Sequence, residues 1–253
     1  MKRILITGLL VAGAVAANAG LRSVNLVNPP QNSNGGKINW IKATNDVPSG
    51  DFSWTANFSD SPSGKKTQGY WVVVSPGPNP KGHAGELAIF FMDTTKASPI
   101  LTAYAYNGVN GSNSWQTPGD FIMSSQTGAG VAATKSLTYT NNGDGTRTIG
   151  FKVDNTIINS FSPANPGSTP WTGAYFNEKI GIWFHPVTDL KTAYAHDGKL
   201  TKWQFGAEGW YDDYNVQTVP EPATMTAVAL GLAAIARKRP QLPDGSASCA
   251  RDP

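Results

Sequence analysis

Short runs of aromatic and β-branched residues alternate with clusters of Gly, Pro, Asn and Asp through most of this 253-residue chain. Runs bounded in this way by turn-forming residues predict β-strands. No stretch between the two ends has a convincing 3.6-residue period. The pattern therefore predicts an all-β fold, a single antiparallel β-sandwich or jelly roll. The predicted strands are Lys37–Lys42, Phe52–Phe58, Gly69–Ser75, Glu86–Asp93, Leu101–Tyr106, Asp120–Ser124, Ser136–Thr140, Arg147–Val153, Thr156–Ser160, Lys179–His185, Thr192–His196 and Lys202–Phe205.

Two of the runs are apolar without interruption, Gly69–Val74 and Leu87–Phe91. Uninterrupted apolar strands are typical of positions that are covered on both faces. We therefore expect these two strands to be central. In the first predicted strand, alternation instead predicts Ile38, Trp40 and Lys42 on one face and the intervening residues on the other.

The N-terminus has the three parts of a secretory signal peptide. Two positive residues precede the uncharged apolar run Ile4–Ala16, and the small residues Ala17 and Ala19 follow it. This order predicts export through the Sec translocon and cleavage by signal peptidase before Gly20. A retained membrane anchor is the alternative, although the run is short for a hydrocarbon core of about 30 Å.

The C-terminus combines a proline pair, an apolar run and a basic cluster. The prolines cannot continue into a helix behind them, whereas the Ala- and Leu-rich run Ala223–Ala236 is helical by propensity. A helix of this length extends about 21 Å, which is thin for a bilayer unless flanking residues contribute. The basic cluster would keep its end in the cytoplasm. The residues outside the apolar run are Val219, Pro220, Glu221, Pro222, Arg237, Lys238 and Arg239.

In these residues the chain resembles the PEP-CTERM sorting tails of exported bacterial proteins. The resemblance implies recognition by an exosortase, a membrane enzyme, near Pro220–Pro222, and transient anchoring in the inner membrane through an apolar helix. It also implies a bacterium with an outer membrane and an exopolysaccharide programme. A chance apolar helix after a proline pair is the alternative.

One part of the tail departs from that pattern. Such tails usually stop soon after the basic cluster, whereas here 14 further residues, Pro240–Pro253, include the only cysteine, Cys249. This extension either impairs sorting or is a harmless cytosolic end. The predicted organisation is thus a signal peptide at 1–19, a β-sandwich at 20–218, the sorting signal at 219–239 and a polar tail at 240–253.

Charge and cysteine content narrow the function of the exported part. The formal net charge of +3 includes +2 from the signal peptide and +2 from residues 223–253, so the remainder carries −1. No basic surface is left that would indicate nucleic-acid binding. Because this part has no cysteine, its core must stabilise it without disulfides.

Two segments of the central region resemble concanavalin-like and laminin-G-like jelly rolls. Thr148–Ile158 is read as a strand, an Asp-Asn turn and a second strand, and Ile180–His185 is an apolar strand of the same kind. Gly69–Trp115 further resembles exported bacterial proteins with the same type of tail. These resemblances imply a fold and no assigned activity.

The sequence contains no recognisable catalytic motif. Glycoside hydrolysis needs two carboxylates about 5–10 Å apart, and the densest acidic cluster is Glu208 with Asp212 and Asp213. This cluster is interpreted either as the polar end of a strand or as a pair of catalytic carboxylates. A pocket holding two of Glu86, Glu178 and Glu208 would favour a secreted glycan-degrading enzyme. No Gly-x-Ser-x-Gly elbow is present, and His83, His185 and His196 lack zinc-ligand spacing.

Two kinds of binding site remain as expectations. Asn141, Asn142 and Asp144 lie in the segment Asn141–Thr146, whose alternating oxygen ligands suit calcium although the full EF-hand loop is missing, and a plain hairpin turn is the alternative. No other cofactor is expected. Three tryptophans in loop-like contexts could stack on sugar rings or plug the ends of a sandwich. They are Trp115, Trp171 and Trp210, whereas Trp40, Trp71, Trp183 and Trp203 lie in predicted strands and are expected in the core.

Together these features predict an exported protein of the cell envelope or exopolysaccharide matrix with a structural or adhesive role. Binding of polysaccharide through the loop tryptophans is one candidate form of this role. A glycan-degrading jelly-roll enzyme is the alternative hypothesis.

Overall fold

The computed structural model describes residues 20–46, 49–75, 88–105, 120–162 and 173–220, which belong to the unit Gly20–Pro220. Nearly all of its regular structure is β. The strands are β1 (Leu21–Val27), β2 (Lys37–Asp46), β3 (Asp51–Ser59), β4 (Thr67–Ser75), β5 (Ala88–Asp93), β6 (Ile100–Ala105), β7 (Asp120–Ser124), β8 (Thr134–Asn141), β9 (Thr146–Asp154), β10 (Lys179–Thr188), β11 (Lys191–Tyr194), β12 (Leu200–Gln204), β13 (Tyr211–Gln217) and β14 (Val219–Pro220). Two short helices are α1 (Gly128–Ala133) and α2 (Thr156–Asn159).

The strands form two six-stranded sheets and a separate hairpin. The first sheet has the order β14-β1-β2-β3-β9-β8, the second has the order β13-β10-β4-β5-β6-β7, and β11 pairs with β12. Every strand pairing is antiparallel. The prediction of an antiparallel all-β fold is confirmed, and the narrower jelly-roll type stays a prediction.

The main core lies between the two sheets. Phe52 of the first sheet stacks on Phe90 of the second with ring centroids 5.1 Å apart, and Trp54 packs on Phe184 at 5.6 Å. All four side chains are fully buried. Because burial of one such side chain stabilises a fold by about 1.5–3 kcal/mol, the contacts between these sheets dominate its stability.

A second aromatic core covers the other face of the second sheet. Trp71 stacks on Phe91 with centroids 4.3 Å apart, and Trp203 of the β11–β12 hairpin meets Trp71 edge-on at 5.5 Å. Phe205 stacks in turn on Trp203 at 4.6 Å. The hairpin thus forms a third layer, and β4 and β5 are buried on both faces. The expectation drawn from the two uninterrupted apolar runs is confirmed.

Asp93 fastens this hairpin to the second sheet. Its fully buried carboxylate accepts hydrogen bonds from Thr192 Oγ1 at 2.6 Å and Tyr194 Oη at 2.9 Å, both on β11. The backbone N–H and the hydroxyl of Thr95 donate to it at 2.8 and 2.6 Å. A buried carboxylate is tolerated only with such donors. Burial and the neighbouring Asp93 charge raise the pKa of Tyr194.

The predicted strand Thr156–Ser160 is wrong, because the chain there forms α2. The carboxylate of Asp154 accepts hydrogen bonds from the Thr156 N–H at 3.0 Å and from its hydroxyl at 2.7 Å. This local turn starts a helical turn in place of a second strand. Ile158, which the sequence pattern assigned to a strand, is buried from the helix instead.

The alternation predicted for β2 is also wrong. A register shift between Ile38 and Trp40 marks a β-bulge, which adds one residue to the strand. Ile38 and Ile41 therefore both enter the main core. Trp40 is only half-buried, with Lys42 Nζ 5.3 Å from its ring centroid.

Several elements were not predicted from the sequence. β1 and β13 contain many polar residues and few aromatic ones. Both strands lie at or next to a sheet edge, where exposed polar side chains are compatible with a strand. The two-residue β14 and the six-residue α1 are too short to produce a period. Of the other strand-borne tryptophans, Trp71 and Trp183 are buried as expected, and Trp203 is half-buried.

The predicted signal peptide and apolar C-terminal helix lie outside the described residues, as do Ala17 and Ala19. Gly20, at the predicted cleavage point, is the first described residue. In the part of the chain that the structure describes, no helix has the length and apolar character needed to cross a membrane.

We expect Asp93→Asn to lower the free energy of unfolding by about 2–3 kcal/mol, because the amide replaces a charged acceptor and turns an NH₂ group toward two donors. Urea denaturation followed by tryptophan fluorescence measures the change. Asp197→Asn is the matched control in the same hairpin, since asparagine can still accept the Lys199 N–H bond of 2.9 Å. Equal stability of the two variants would contradict the anchoring role.

Stability at high pH is expected to depend on buried tyrosines. Burial raises the pKa of Tyr70 above its ordinary value of 10.0. The unfolded chain ionises near pH 10 and the folded chain does not, so the stabilising contribution is present below that pH and is lost as pH rises toward the folded pKa. Above pH 10 we expect the free energy of unfolding to fall with a slope that approaches about 1.4 kcal/mol per pH unit for each such tyrosine, measured by urea denaturation between pH 8 and 11.

Tyr70→Phe tests the assignment. Among the described residues, the Tyr70 hydroxyl has no hydrogen-bond partner, so its removal should raise stability at pH 7 by about 1 kcal/mol and flatten the alkaline slope. Tyr104→Phe is the control, because it removes the acceptor of the Leu200 N–H bond of 3.0 Å and should destabilise the protein. An unchanged slope in Tyr70→Phe would show that this hydroxyl is not the titrating group.

Candidate functional site

The segment that carries Trp210 is fixed between the end of β10 and the chain before β2. Gly209 N donates to Pro186 O at 2.9 Å, and Trp210 and Asn32 exchange two backbone hydrogen bonds of 3.0 Å. A Cβ at Gly35 would lie 2.0 Å from Pro186 O, so this close approach requires glycine. The backbone of Trp210 is thus held from two sides, although it belongs to none of the strands.

Four side chains form a surface group that we call the Trp210 cluster: Trp183, His185, Glu208 and Trp210. The ring centroids of Trp183 and His185 are 3.8 Å apart, and those of His185 and Trp210 are 6.4 Å apart. His185 Nδ1 lies 3.5 Å from Glu208 Oε2. Exposure increases along the row, from 8% for Trp183 to 43% for Trp210.

The cluster combines an apolar stacking face with polar groups beside it. The exposed indole of Trp210 offers a flat surface, and the Glu208 carboxylate, whose side chain is 40% exposed, offers hydrogen-bond acceptors. Partial burial raises the pKa of Glu208. This arrangement suits a ligand with an apolar ring face and hydroxyl groups at its edge.

His185 was not anticipated as a member of this cluster. The spacing of Trp183 and His185 along β10 places both side chains on one face of the strand, a signal that was present in the sequence. Their meeting with Glu208 and Trp210 depends on how the chain after β12 returns along β10, where Val187 and Glu208 form an isolated bridge. No local pattern encodes that return.

The other predicted glycan-contact residues, Trp115 and Trp171, lie outside the described residues. Trp210 is therefore the predicted loop tryptophan whose surroundings the structure describes.

The structure separates Glu178 from Glu208, two of the predicted carboxylates. Glu178 directly precedes β10, and Glu208 forms a bridge with Val187 near the other end of this strand. Because a strand rises about 3.3 Å per residue, the two glutamates are about 25–30 Å apart. Glu86 lies outside the described residues. Asp212 and Asp213 lie on β13 opposite Trp183 and Ile182, and Asp213 accepts a bond of 3.2 Å from Tyr211 Oη.

The predicted calcium site lies in the exposed turn between β8 and β9. Asp144 Oδ1 accepts hydrogen bonds from the Thr146 N–H at 2.9 Å and from its hydroxyl at 2.6 Å, and these bonds lower the pKa of Asp144. Asn141 Oδ1 accepts from Gly143 N at 3.2 Å, and Asn142 Nδ2 donates to Thr146 Oγ1 at 2.9 Å. Calcium binding here stays a prediction.

No group of three or more His, Cys, Asp or Glu side chains suited to a metal ion occurs among the described residues.

The start of the predicted sorting signal is a structured part of the domain. Val219 and Pro220 form β14, which pairs with Ser23 and Arg22 of β1. The remaining predicted residues of the signal, Glu221, Pro222, Arg237, Lys238 and Arg239, lie outside the described residues.

Residues 218–239 match the family model of the PEP-CTERM protein-sorting motif. This motif indicates an exported protein that an exosortase processes and that is sorted to the cell surface. No curated protein matches the chain in a sequence comparison. The match begins at Thr218, one residue before the predicted start of the signal.

Proposed function

We propose that the exported domain is a structural or adhesive component of the cell envelope or exopolysaccharide matrix that binds polysaccharide through the Trp210 cluster. The exposed indole of Trp210 beside the Glu208 carboxylate carries this proposal. Export and sorting to the surface, as the motif at 218–239 indicates, bring that indole to where polysaccharide is present. Sorting proceeds in this proposal through transient anchoring of the C-terminal apolar segment in the inner membrane.

Trp210 has the properties of a preorganised stacking surface. Its backbone is paired with Asn32 on one side and follows Gly209, which bonds to Pro186, on the other. Little backbone freedom remains to be lost when a ligand binds. The apolar face of a pyranose ring would lie on the indole, and ring hydroxyls would donate to Glu208.

The proposed role is not catalytic. Of the predicted pairs, Glu178 and Glu208 lie at opposite ends of β10, which is farther apart than the distance of about 5–10 Å that hydrolysis of a glycosidic bond requires. The partner of Glu208 in the cluster is His185. Adhesion needs only an exposed, rigid contact surface, which Trp210 provides.

Native gel electrophoresis through a matrix that contains the host's exopolysaccharide tests the proposal. We expect retardation of the wild-type domain and about tenfold weaker binding by Trp210→Ala, equivalent to about 1.4 kcal/mol. Trp210→Phe should retain part of the binding, because a smaller ring still stacks. Tyr139→Ala is the matched control, since Tyr139 is similarly exposed, at 42%, but lies on the edge strand β8.

Equal losses in Trp210→Ala and Tyr139→Ala would contradict a specific site at the cluster. Reducing ends released from the same polysaccharide by the wild-type domain would favour the alternative hypothesis of a glycan-degrading enzyme.

A further inference from the structure

The sorting motif begins inside the folded domain. Thr218, the first matched residue, is only 4% exposed. Its N–H donates to Glu178 O at 2.9 Å and its hydroxyl donates to Asn177 O. Arg22 Nη1 also donates to Thr218 Oγ1 at 3.2 Å. The residue at which the motif starts is therefore firmly held between the ends of the two sheets.

Among the described residues, the next two make fewer side-chain hydrogen bonds and are more exposed than Thr218. Val219 and Pro220 form β14, the shortest strand at the edge of the first sheet. Val219 is 58% exposed, and within the described part of the chain its carbonyl accepts a side-chain bond of 3.3 Å from Ser23 Oγ. Pro220 has no N–H to donate to β1. A weakly held strand thus follows a firmly held residue.

We propose that β14 is a latch that must open before an exosortase can bind the segment around Glu221. This inference rests on the proposed sorting by an exosortase. In the closed state Pro220, the first proline of the motif, is paired with β1 in the first sheet. In the open state Thr218 still holds the domain together, and the peptide beyond it is free.

The spacing along the chain explains why the closed latch would block the enzyme. The apolar run predicted from the sequence starts at Ala223, so Glu221 and Pro222 alone separate it from a docked β14. Two extended residues span about 7 Å. Release of Val219 and Pro220 doubles this to about 14 Å. Because enzymes commonly bind peptides in an extended form through their main chain, the longer free segment is what a membrane enzyme would need.

The proposal makes the domain a regulator of its own sorting. A chain whose β14 stays paired with β1 would remain tethered for longer, and a chain whose β14 opens would be processed. The rate of processing would then depend on the stability of one two-residue pairing, and the main core would be unaffected.

A disulfide across the pairing tests the latch. Ser23 and Val219 lie directly opposite each other, a spacing that a disulfide can bridge. The full chain with Ser23→Cys and Val219→Cys, and with Cys249→Ser to prevent mispairing, is expressed in a bacterium that has an exosortase. The matched control carries Thr44→Cys and Ser53→Cys, which face each other on β2 and β3 with hydroxyls 2.6 Å apart.

Pulse-labelling and intact mass give the rate at which chains ending near Pro222 appear. We expect processing of the locked chain to be at least tenfold slower than that of the control chain, and to return to the control rate in dithiothreitol-treated membranes. Processing of the locked chain at the control rate would overturn the latch. Failure of the Cys249→Ser chain without a lock to be processed would overturn the sorting assignment itself, and with it the latch.

A loosening variant tests the proposal from the opposite direction, even if the locked chain fails to fold. Ser23→Ala removes the side-chain bond to Val219 O and leaves the bonds of Thr218 in place. We expect it to be processed at least twofold faster than wild type. An unchanged rate would contradict the latch.

Discussion

The need to cover both faces of the second sheet is the constraint on which the rest of the structure depends. β4 and β5 are buried on both faces, so the first sheet alone cannot remove their apolar side chains from water. The β11–β12 hairpin supplies the missing cover through Trp203. Asp93 then fixes the position of the hairpin, because a buried carboxylate has to be satisfied by donors that the hairpin carries.

The position of the Trp210 cluster results from the way in which the β11–β12 hairpin covers the second sheet. After β12 the chain must return along the end of β10 to reach β13 in the same sheet, and hydrogen bonds to Pro186 and Thr188 guide it there. The return leaves Trp210 exposed next to His185 and Glu208. The proposed site is therefore a consequence of how the third layer is connected to the second sheet.

The parts of the fold that could be predicted are those in which a strand's own residues determine its environment. The uninterrupted apolar runs of β4 and β5 were sufficient to predict burial on both faces. The helix at Thr156 was not predictable in this way, because a single carboxylate, Asp154, competes with strand pairing. The bulge in β2 was likewise invisible, since it depends on the register with β3.

The same distinction applies to the candidate sites. Trp210 could be singled out from its loop-like context, whereas its association with His185 depends on residues far apart in sequence. The sorting motif was evident from the order of its parts, yet its overlap with the fold depends on a pairing between the two ends of the unit Gly20–Pro220, Arg22 with Pro220.

In the proposed function, the exported domain works after sorting has released it from the membrane. The decisive measurement is the intact mass of the protein recovered from the cell surface and the medium of its native host. We expect a chain that starts at Gly20 and ends near Pro222. A surface-recovered chain that still contains Cys249 would contradict this expectation, because the domain would then have kept its C-terminal tail.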